Sequence, residues 1–546
     1  MALLQIPAGV YPRALNAIGL LVLLYLARGV VLLYRRRTRF RALAAKHGYE
    51  LLPNHSIIFG DLITVGKLMA KCPSDVHGQI VPHLLAQAFP ELAKAGLFYV
   101  DTWPFTDPMI AVFHPDMMAQ FCQEDSRPKH GHVVREFFPF TEGKDLVTSE
   151  GMQWKQWRAV FNPGFSTQNI MSLVPSFVEE ILLFSKHLGK IAETGETVQM
   201  EPQATKAVFD VICRASIGTS LGTQTSADSP LLNALKQNIA WLIPEFGPGQ
   251  WAKILHPLRT LAIRRNNSVM HQILQPLLEA HCLEHDRTGG PMTAVNLAVR
   301  GYMKSQGDTA LEKVDPVFLD TAVEHIKMFL FAGIDTTAST VSFAYFFLYS
   351  HPDALAEIRR EHDSVFGSTV SQAAELISRT PTLLNKLPYT LAVIKEVLRL
   401  CPPFGTARAG GPGFFLTNPE TRQRFPTDGF LLFSCSHALQ RHPAYWPDPD
   451  AFKPERWLSD EPESLGRRRN VWRPFELGPR ACIGQELAMV ELKLILVLTL
   501  REFDIKPMYK DGAGKLFGFQ AYQAAPPGEV SSHINGGLPV RIEKRL

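Results

Sequence analysis

Apolar and polar positions divide the start of this chain into two unlike segments. Residues 14 to 34 form a nearly continuous apolar run that Arg28 interrupts. A helix of that length could cross a hydrocarbon layer about 30 Å thick. Five arginines follow the run at once: Arg35, Arg36, Arg37, Arg39 and Arg41. By the positive-inside rule, this pattern predicts a single-pass N-terminal transmembrane helix with the rest of the chain in the cytosol.

A cleaved secretory peptide is the competing interpretation of residues 14 to 34. Its basic residues would precede the apolar run and a small-residue cleavage site would follow it, and neither is found here. Arg28 would cost about 2.5–3.5 kcal/mol at mid-bilayer, so a shallow or tilted anchor is also open. We therefore predict an anchor with its basic flank over residues 1–41 and one globular domain over residues 42–546.

Helical patterns dominate the remaining sequence. Asp315 supplies an N-cap and Pro316 a first-turn proline for one long helix, which must end by Pro352. The runs 109–114 and 430–435 are short and rich in β-forming residues. No repeat, Gly/Ser linker or long charge block divides the chain. The sequence therefore predicts a mainly α single domain with a minor antiparallel β-sheet.

Composition and charge narrow the function classes. The 546 residues include 56 basic and 52 acidic side chains, and the net charge of +4 indicates no nucleic-acid partner. Seven cysteines occur singly and no CxxC pair is present, which favours a reducing compartment over a disulfide framework.

One cysteine lies in a loop suited to haem iron. Residues 475–484 read Phe-Glu-Leu-Gly-Pro-Arg-Ala-Cys-Ile-Gly. Glycines let the backbone pass close to a flat macrocycle, and Arg480 can pair with a haem propionate. Backbone N–H groups and the start of a following helix favour the thiolate of Cys482. The alternative is a buried structural cysteine beside a turn.

The pattern Phe-x-x-Gly-x-Arg-x-Cys-x-Gly resembles the haem-binding signature of the cytochrome P-450 family, and its wording is most like membrane-anchored fungal secondary-metabolism members. The resemblance implies a cytochrome P-450-type helical domain with haem b (iron protoporphyrin IX), Cys482 as the axial ligand of the iron, and Phe475, Arg480 and Gly484 as cofactor-binding residues. Glu476 departs from the pattern, because glycine is common at its position.

A second segment lies inside the long helix. Residues 332–337 read Ala-Gly-Ile-Asp-Thr-Thr, and such residues are unfavourable in mid-helix, where a back-bonding threonine can open a groove. The alternative is a polar seam packed against another helix. The segment resembles the family's oxygen-activation motif. The resemblance implies that Gly333 contacts the cofactor, Asp335 feeds protons and Thr336 holds oxygen and water.

Three further motifs follow the family's order along the chain. Trp-x-x-x-Arg resembles the helix that meets the haem propionates, and a later arginine occupies another propionate position; these are Trp154, Arg158 and Arg408. A surface salt bridge is the alternative for either arginine. Glu-x-x-Arg and Pro-Glu-Arg resemble a buried triad behind the cysteine loop, which makes Glu396, Arg399 and Arg456 structural supports.

The resemblance implies a haem-thiolate monooxygenase that inserts one O₂-derived oxygen into a hydrophobic small molecule, such as a polyketide or terpenoid intermediate. Electrons would come from a separate NADPH-dependent reductase, because the chain has no flavin or nicotinamide fingerprint. Arg467, Arg468, Arg469 and Lys155 are candidates for its docking face. The implied location is the endoplasmic reticulum membrane, facing the cytosol. A haem-thiolate isomerase or dehydratase that needs no O₂, and a non-catalytic haem-binding protein, are the rival functions.

Overall fold

The computed structural model describes residues 10–226, 229–242, 249–288, 292–306, 315–369, 371–458, 469–510, 512–526 and 530–545. Helices account for most of this length, as predicted. They are α1 (Val10–His47), α2 (Leu62–Met69), α3 (Val81–Ala88), α4 (Pro90–Ala93), α5 (Pro115–Ala119), α6 (Gly131–Thr141), α7 (Gly151–Phe161), α8 (Thr167–Thr194), α9 (Met200–Ile217), α10 (Pro230–Trp241), α11 (Gly249–Leu255), α12 (Arg259–Thr288), α13 (Ala294–Gln306), α14 (Pro316–Ser350), α15 (Pro352–Phe366), α16 (Gln372–Arg379), α17 (Pro388–Leu400), α18 (Ser436–Leu439) and α19 (Gln485–Leu500).

Short strands form small sheets beside the helices. They are β1 (Leu97–Val100), β2 (Met109–Val112), β3 (Thr197–Gln199), β4 (Thr406–Ala409), β5 (Phe415–Thr417), β6 (Arg424–Pro426), β7 (Leu431–Ser434), β8 (Phe503–Pro507), β9 (Gln523–Ala524), β10 (His533–Ile534) and β11 (Pro539–Lys544). The largest sheet has the order β1-β2-β7-β4. Smaller sheets pair β3-β11-β8, β5-β6 and β9-β10.

The largest sheet corrects one prediction. The β-rich runs of the sequence became β2 and β7, and these two strands pair in parallel, with Met109 opposite Leu431. The other two pairings in this sheet are antiparallel. The sheet is therefore mixed, because the two strands lie far apart in the chain and the direction of their pairing is set by the long connection between them.

The long helix α14 runs through the main core. The Asp315 carboxylate caps it by accepting the N–H of Val317 at 2.9 Å, and the helix ends at Ser350, just before Pro352. Most of its residues are buried, and it packs along α9 with α17 and α19 nearby. The polar segment in the middle of α14 is therefore unusual, because the rest of the helix is packed in an apolar core. A second core cluster lies around the mixed sheet.

The N-terminal helix does not support the predicted transmembrane crossing. In the part of the chain that the structure describes, no helix has both the length and the apolar character needed to cross a membrane. The apolar run lies in α1, which contains Arg28 and continues without a break through the arginine cluster to His47.

The arginine cluster at the end of α1 is attached to the globular part. Arg37 is fully buried, pairs with Asp101 and donates to the carbonyl oxygen of Trp103 at 2.7 Å. Arg39 pairs with Asp428 at 3.0 Å. The helix thus passes residue 41 without a hinge and docks on the segments around β1 and β7.

Candidate active site

The cysteine loop is a tight turn in front of α19. The N–H of Cys482 donates to the Phe475 carbonyl at 2.9 Å, and the N–H of Ala481 donates to the Gly478 carbonyl at 3.0 Å. Gly478 has φ +95°, and a Cβ there would lie 2.4 Å from the Cys122 carbonyl oxygen. Glycine is therefore required at this position both by the backbone angle and by the close contact.

Cys482 is accessible although protein atoms surround its thiol. The surrounding protein atoms keep water away from the thiol, and this burial raises its pKa. The N–H groups of Gly484 and Gln485 and the guanidinium of Arg158 act in the opposite direction. The predicted donors are thus present, although burial outweighs them in the free thiol. A bound metal ion removes that proton outright.

Glu476 keeps the loop in shape with a left-handed backbone. Its φ is +56°, the region that glycine usually fills. The carboxylate accepts from Arg473 Nε at 2.7 Å and from Ser434 Oγ at 2.6 Å. The substitution that departs from the family pattern therefore ties the loop to β7.

A cationic rim lies beside the loop. Arg408 is fully buried on β4, and none of its three guanidinium nitrogens has a hydrogen-bond partner among the described residues. Lys129 forms a β-bridge with Arg408, and burial, together with the charges of Arg408 and Arg480, lowers its pKa to about 7. Arg480 pairs with Glu150 and lies 4.4 Å from the centre of the Trp154 ring.

This rim fits the two carboxylates of haem. A buried guanidinium without an acceptor, next to a lysine whose charge is disfavoured, is stable only if an anionic group lies between them. Trp154 and Arg158 lie one turn apart on α7, and Arg158 is close enough to Cys482 to lower the pKa of its thiol. The predicted propionate residues and the cysteine are thus brought to one region. Phe475 packs against Trp472, and Gly484 caps α19.

The polar segment of α14 contains one accessible turn, residues 332–336, which is called the groove of α14 below. Ala332 is exposed and Gly333 and Thr336 are partly exposed, although the flanking turns are buried. Thr336 Oγ1 donates to the Ala332 carbonyl at 2.9 Å, the predicted back-bond. A Cβ on Gly333 would lie 3.2 Å from Ile212 Cγ1, so this glycine also allows α14 to approach α9 closely. Asp335 is buried and accepts from the N–H of Ser531 at 3.2 Å.

The predicted triad behind the loop is present. Glu396 and Arg399 are fully buried and joined by two contacts, Nε to Oε2 at 2.9 Å and Nη2 to Oε1 at 2.8 Å. Arg456 Nε adds a contact to Glu396 at 2.9 Å. The indole of Trp457 and the N–H of Lys453 also donate to Glu396, each at 3.0 Å. Every charge in this cluster therefore has hydrogen-bonded partners, as burial requires.

Sequence reasoning missed three residues of this region. Lys129 carries no motif and is found only through its pairing with Arg408. His533 and Glu201 lie far from Asp335 in the chain, and His533 contacts them both. No local pattern signals such contacts. The candidate docking residues Arg467 and Arg468 lie outside the described residues, whereas Arg469 and Lys155 are exposed.

Known proteins are similar to this chain in sequence. The family model described as Cytochrome P450 matches residues 80–528. The chain is similar to cytochrome P450 monooxygenase polC of Polytolypa hystricis, with 35% identity over 96% of this chain and 95% of that protein. It is also similar to cytochrome P450 monooxygenase acrF of Aspergillus aculeatus, with 30% identity over 84% of this chain and 96% of that protein.

A solved structure shows the same fold. It is a crystal structure of a cytochrome P450, CYP102L1, with a TM-score of 0.67 and 19% identity over 84% of this chain and 98% of that one. Because the family model covers most of its length, and the two relatives named above are at least 30% identical over 84% or more of it, the chain belongs to the cytochrome P450 family and is an oxidoreductase, a P450 monooxygenase.

Proposed function

We propose that the protein binds haem b through Cys482 and hydroxylates a hydrophobic small molecule. The observation that carries this proposal is the cationic rim: the three nitrogens of buried Arg408, which have no hydrogen-bond partner in the described part of the chain, lie beside Lys129 and an accessible cysteine. A porphyrin supplies both an iron for the sulfur and two carboxylates for the rim. A buried structural cysteine would account for neither the accessible thiol nor the orphan guanidinium.

The side chains divide the work at this site. Haem, once bound, would supply the activation of O₂. Cys482 would hold the iron, and Arg408, Arg480 and Lys129 would bind the carboxylates, with Trp154 and Arg158 on the same side. Arg480 would shift from Glu150 to share its charge with a carboxylate.

Thr336 and Asp335, in the groove of α14, would control the delivery of protons to bound oxygen. Thr336 Oγ1 donates its hydrogen to the Ala332 carbonyl, so its lone pairs remain free to accept a hydrogen bond from bound oxygen species or water. Asp335, one residue earlier, would carry protons between the buried interior and this groove. The close packing of Gly333 on Ile212 keeps that turn in place.

An apolar wall supports a hydrophobic substrate. The Phe137 ring lies 5.7 Å and the Phe140 ring 6.3 Å from the Phe331 ring, so α6 closes over α14 with aromatic contacts. Fungal monooxygenases among the relatives agree with a secondary-metabolite substrate, such as a polyketide or terpenoid intermediate.

The proposal also includes a source of electrons and a location in the cell. A separate NADPH-dependent reductase would dock near Lys155 and Arg469, which are exposed cations. The apolar side chains of α1 are exposed from Leu20 to Leu26, and they would bind the cytosolic side of the endoplasmic reticulum membrane as a shallow anchor.

The test of the proposal is the spectrum of the reduced protein with CO. We expect the red-shifted band of a thiolate ligand in the wild type and its loss in Cys482→Ser. Cys435→Ser is the matched control, because Cys435 is buried elsewhere. A wild type without this band, or a Cys482→Ser variant that keeps it, contradicts the proposal. Product that forms without reductant would instead support the isomerase or dehydratase.

A further inference from the structure

A buried histidine joins two carboxylates next to the groove of α14. His533, on β10, places Nε2 2.9 Å from Asp335 Oδ1 and Nδ1 2.8 Å from Glu201 Oε1. Glu201 lies in the first turn of α9. The imidazole can satisfy both acceptors only as a double donor, which is its protonated form. The three side chains thus form a carboxylate–imidazolium–carboxylate bridge.

The surroundings favour that charge. Burial lowers the pKa of His533, but Asp335 and Glu201 outweigh it and hold this pKa well above its usual range. His77 also faces the bridge, and burial and the charge of His533 lower its pKa to about 4, so it stays neutral. Tyr509 lies near Glu201 and has a raised pKa, so it too is neutral. One cation therefore lies between two anions.

The bridge fixes how Asp335 is oriented. One carboxylate oxygen contacts His533, and the other accepts the N–H of Ser531 at 3.2 Å. The same segment is tied to α14 one turn later, where Ser339 Oγ donates to the Ser532 carbonyl at 3.1 Å. The N–H of Ser532 donates to the Pro403 carbonyl at 3.1 Å. The backbone that carries His533 is thus held in place independently of the ion pair.

We propose that His533 is a positioning residue for Asp335, and that as an imidazolium bridging Asp335 and Glu201 it sets the orientation and ionisation of the carboxylate that moves protons. This inference rests on the proposed function of Asp335. When Asp335 is ionised, the bridge holds it between Nε2 of His533 and the N–H of Ser531. Delivery of a proton to the groove then requires the carboxylate to leave this pair, so its rate depends on the charge of His533.

Three variants test whether the charge of the bridge matters separately from the packing of the segment that carries His533. His533→Gln keeps a donor near Asp335 and removes the charge, and Glu201→Gln removes the second anion. Ser339→Ala is the matched control, because it loosens the same segment without touching the bridge. The readout is the fraction of NADPH electrons that appear as peroxide and not as product. We expect this fraction to change several-fold in His533→Gln and Glu201→Gln and to stay at the wild-type value in Ser339→Ala.

A second readout needs no turnover. A histidine whose pKa is raised by folding stabilises the folded state fully below its unfolded pKa, near 6.5, and this stabilisation is lost as pH rises through the folded pKa. The melting temperature of the wild type should therefore exceed that of His533→Gln at pH 6, and the gap should narrow towards pH 9. A gap that does not change with pH overturns the inference, because the imidazole would then not be charged.

The variant Asp335→Asn distinguishes a failure of the proposed proton role of Asp335 from a failure of the proposed positioning role of His533. If Asp335→Asn keeps the wild-type product yield, the proposed proton role of Asp335 is wrong. If Asp335→Asn diverts electrons to peroxide while both His533→Gln and Glu201→Gln behave like the wild type, only the positioning role is overturned. If His533→Gln does not fold, Glu201→Gln decides alone, since a wild-type peroxide fraction in that variant also overturns the inference.

Discussion

Arg408 is buried on β4 with three nitrogen donors that no described group accepts from. A guanidinium in this state is costly unless a ligand completes its hydrogen bonds. The sequence placed this arginine at a propionate position only by its order in the chain, with a surface salt bridge as the alternative. Its complete burial excludes that alternative. The family resemblance therefore identified Arg408 as a candidate, whereas the three-dimensional packing explains why it needs an anionic ligand.

Arg408→Gln should weaken the retention of haem. A hydrogen bond to a charged group contributes about 1.5–3 kcal/mol, which corresponds to about 10- to 100-fold in affinity. Transfer of haem from the protein to an acceptor such as apomyoglobin measures this loss. Arg360→Gln is the control, because Arg360 is an exposed arginine that pairs with Glu357. Equal retention in both variants would show that Arg408 does not bind the cofactor.

Lys129 should make haem binding depend on pH. In the haem-free protein the pKa of Lys129 is about 7, because burial and the charges of Arg408 and Arg480 lower it, and a bound carboxylate would raise it. Above pH 7, binding must then take up a proton, so haem affinity should fall as pH rises. Titration of haem-free protein at pH 6 and pH 8.5 measures this, with Lys129→Met as the control. A fall of equal size in Lys129→Met would assign the dependence to another group.

At the scale of secondary-structure elements, the sequence predicted features that depend on residues close together in the chain. Asp315 and Pro316 marked the start of α14 correctly, and the spacing of Glu396 and Arg399 placed two charges on one face of α17. The parallel pairing of β2 with β7 was not predictable, because more than 300 residues separate the two strands. The approach of His533 to Asp335 was missed for the same reason. Periodicity and capping report on neighbours in sequence, whereas these contacts depend on the packed chain.

Glu396→Gln should destabilise the cysteine-loop side of the domain. It leaves Arg399 and Arg456 buried without their anion, and breaking a buried pair costs about 3–5 kcal/mol. The midpoint of chemical denaturation measures the change. Glu375→Gln is the control, because its pair with Arg379 is exposed and should contribute about 0–1 kcal/mol. A loss for Glu396→Gln no larger than for Glu375→Gln would contradict a structural role for the triad.

For the whole molecule, the sequence predicted one mainly helical body and the motifs that surround its centre. At the N-terminus the structure does not support the predicted membrane crossing, because no helix among the described residues is both long and apolar enough. The arginines after the apolar run form the charge pattern that predicts membrane topology. In the structure, Arg37 is fully buried against Asp101 and Arg39 pairs with Asp428. The same residues therefore serve as attachments within the protein, which no charge count can distinguish from a free basic flank.

The unbroken course of α1 has a geometric consequence. Because Arg37 is fixed in the globular part and α1 is unbroken between it and Leu20, Arg28 within the apolar run has a fixed rotational position relative to the domain. Each residue of an α-helix turns by about 100°. Deleting one residue between Arg28 and Arg37 would turn the Arg28 side chain by about 100° around the helix axis, whereas deleting seven would bring it back almost to its starting direction.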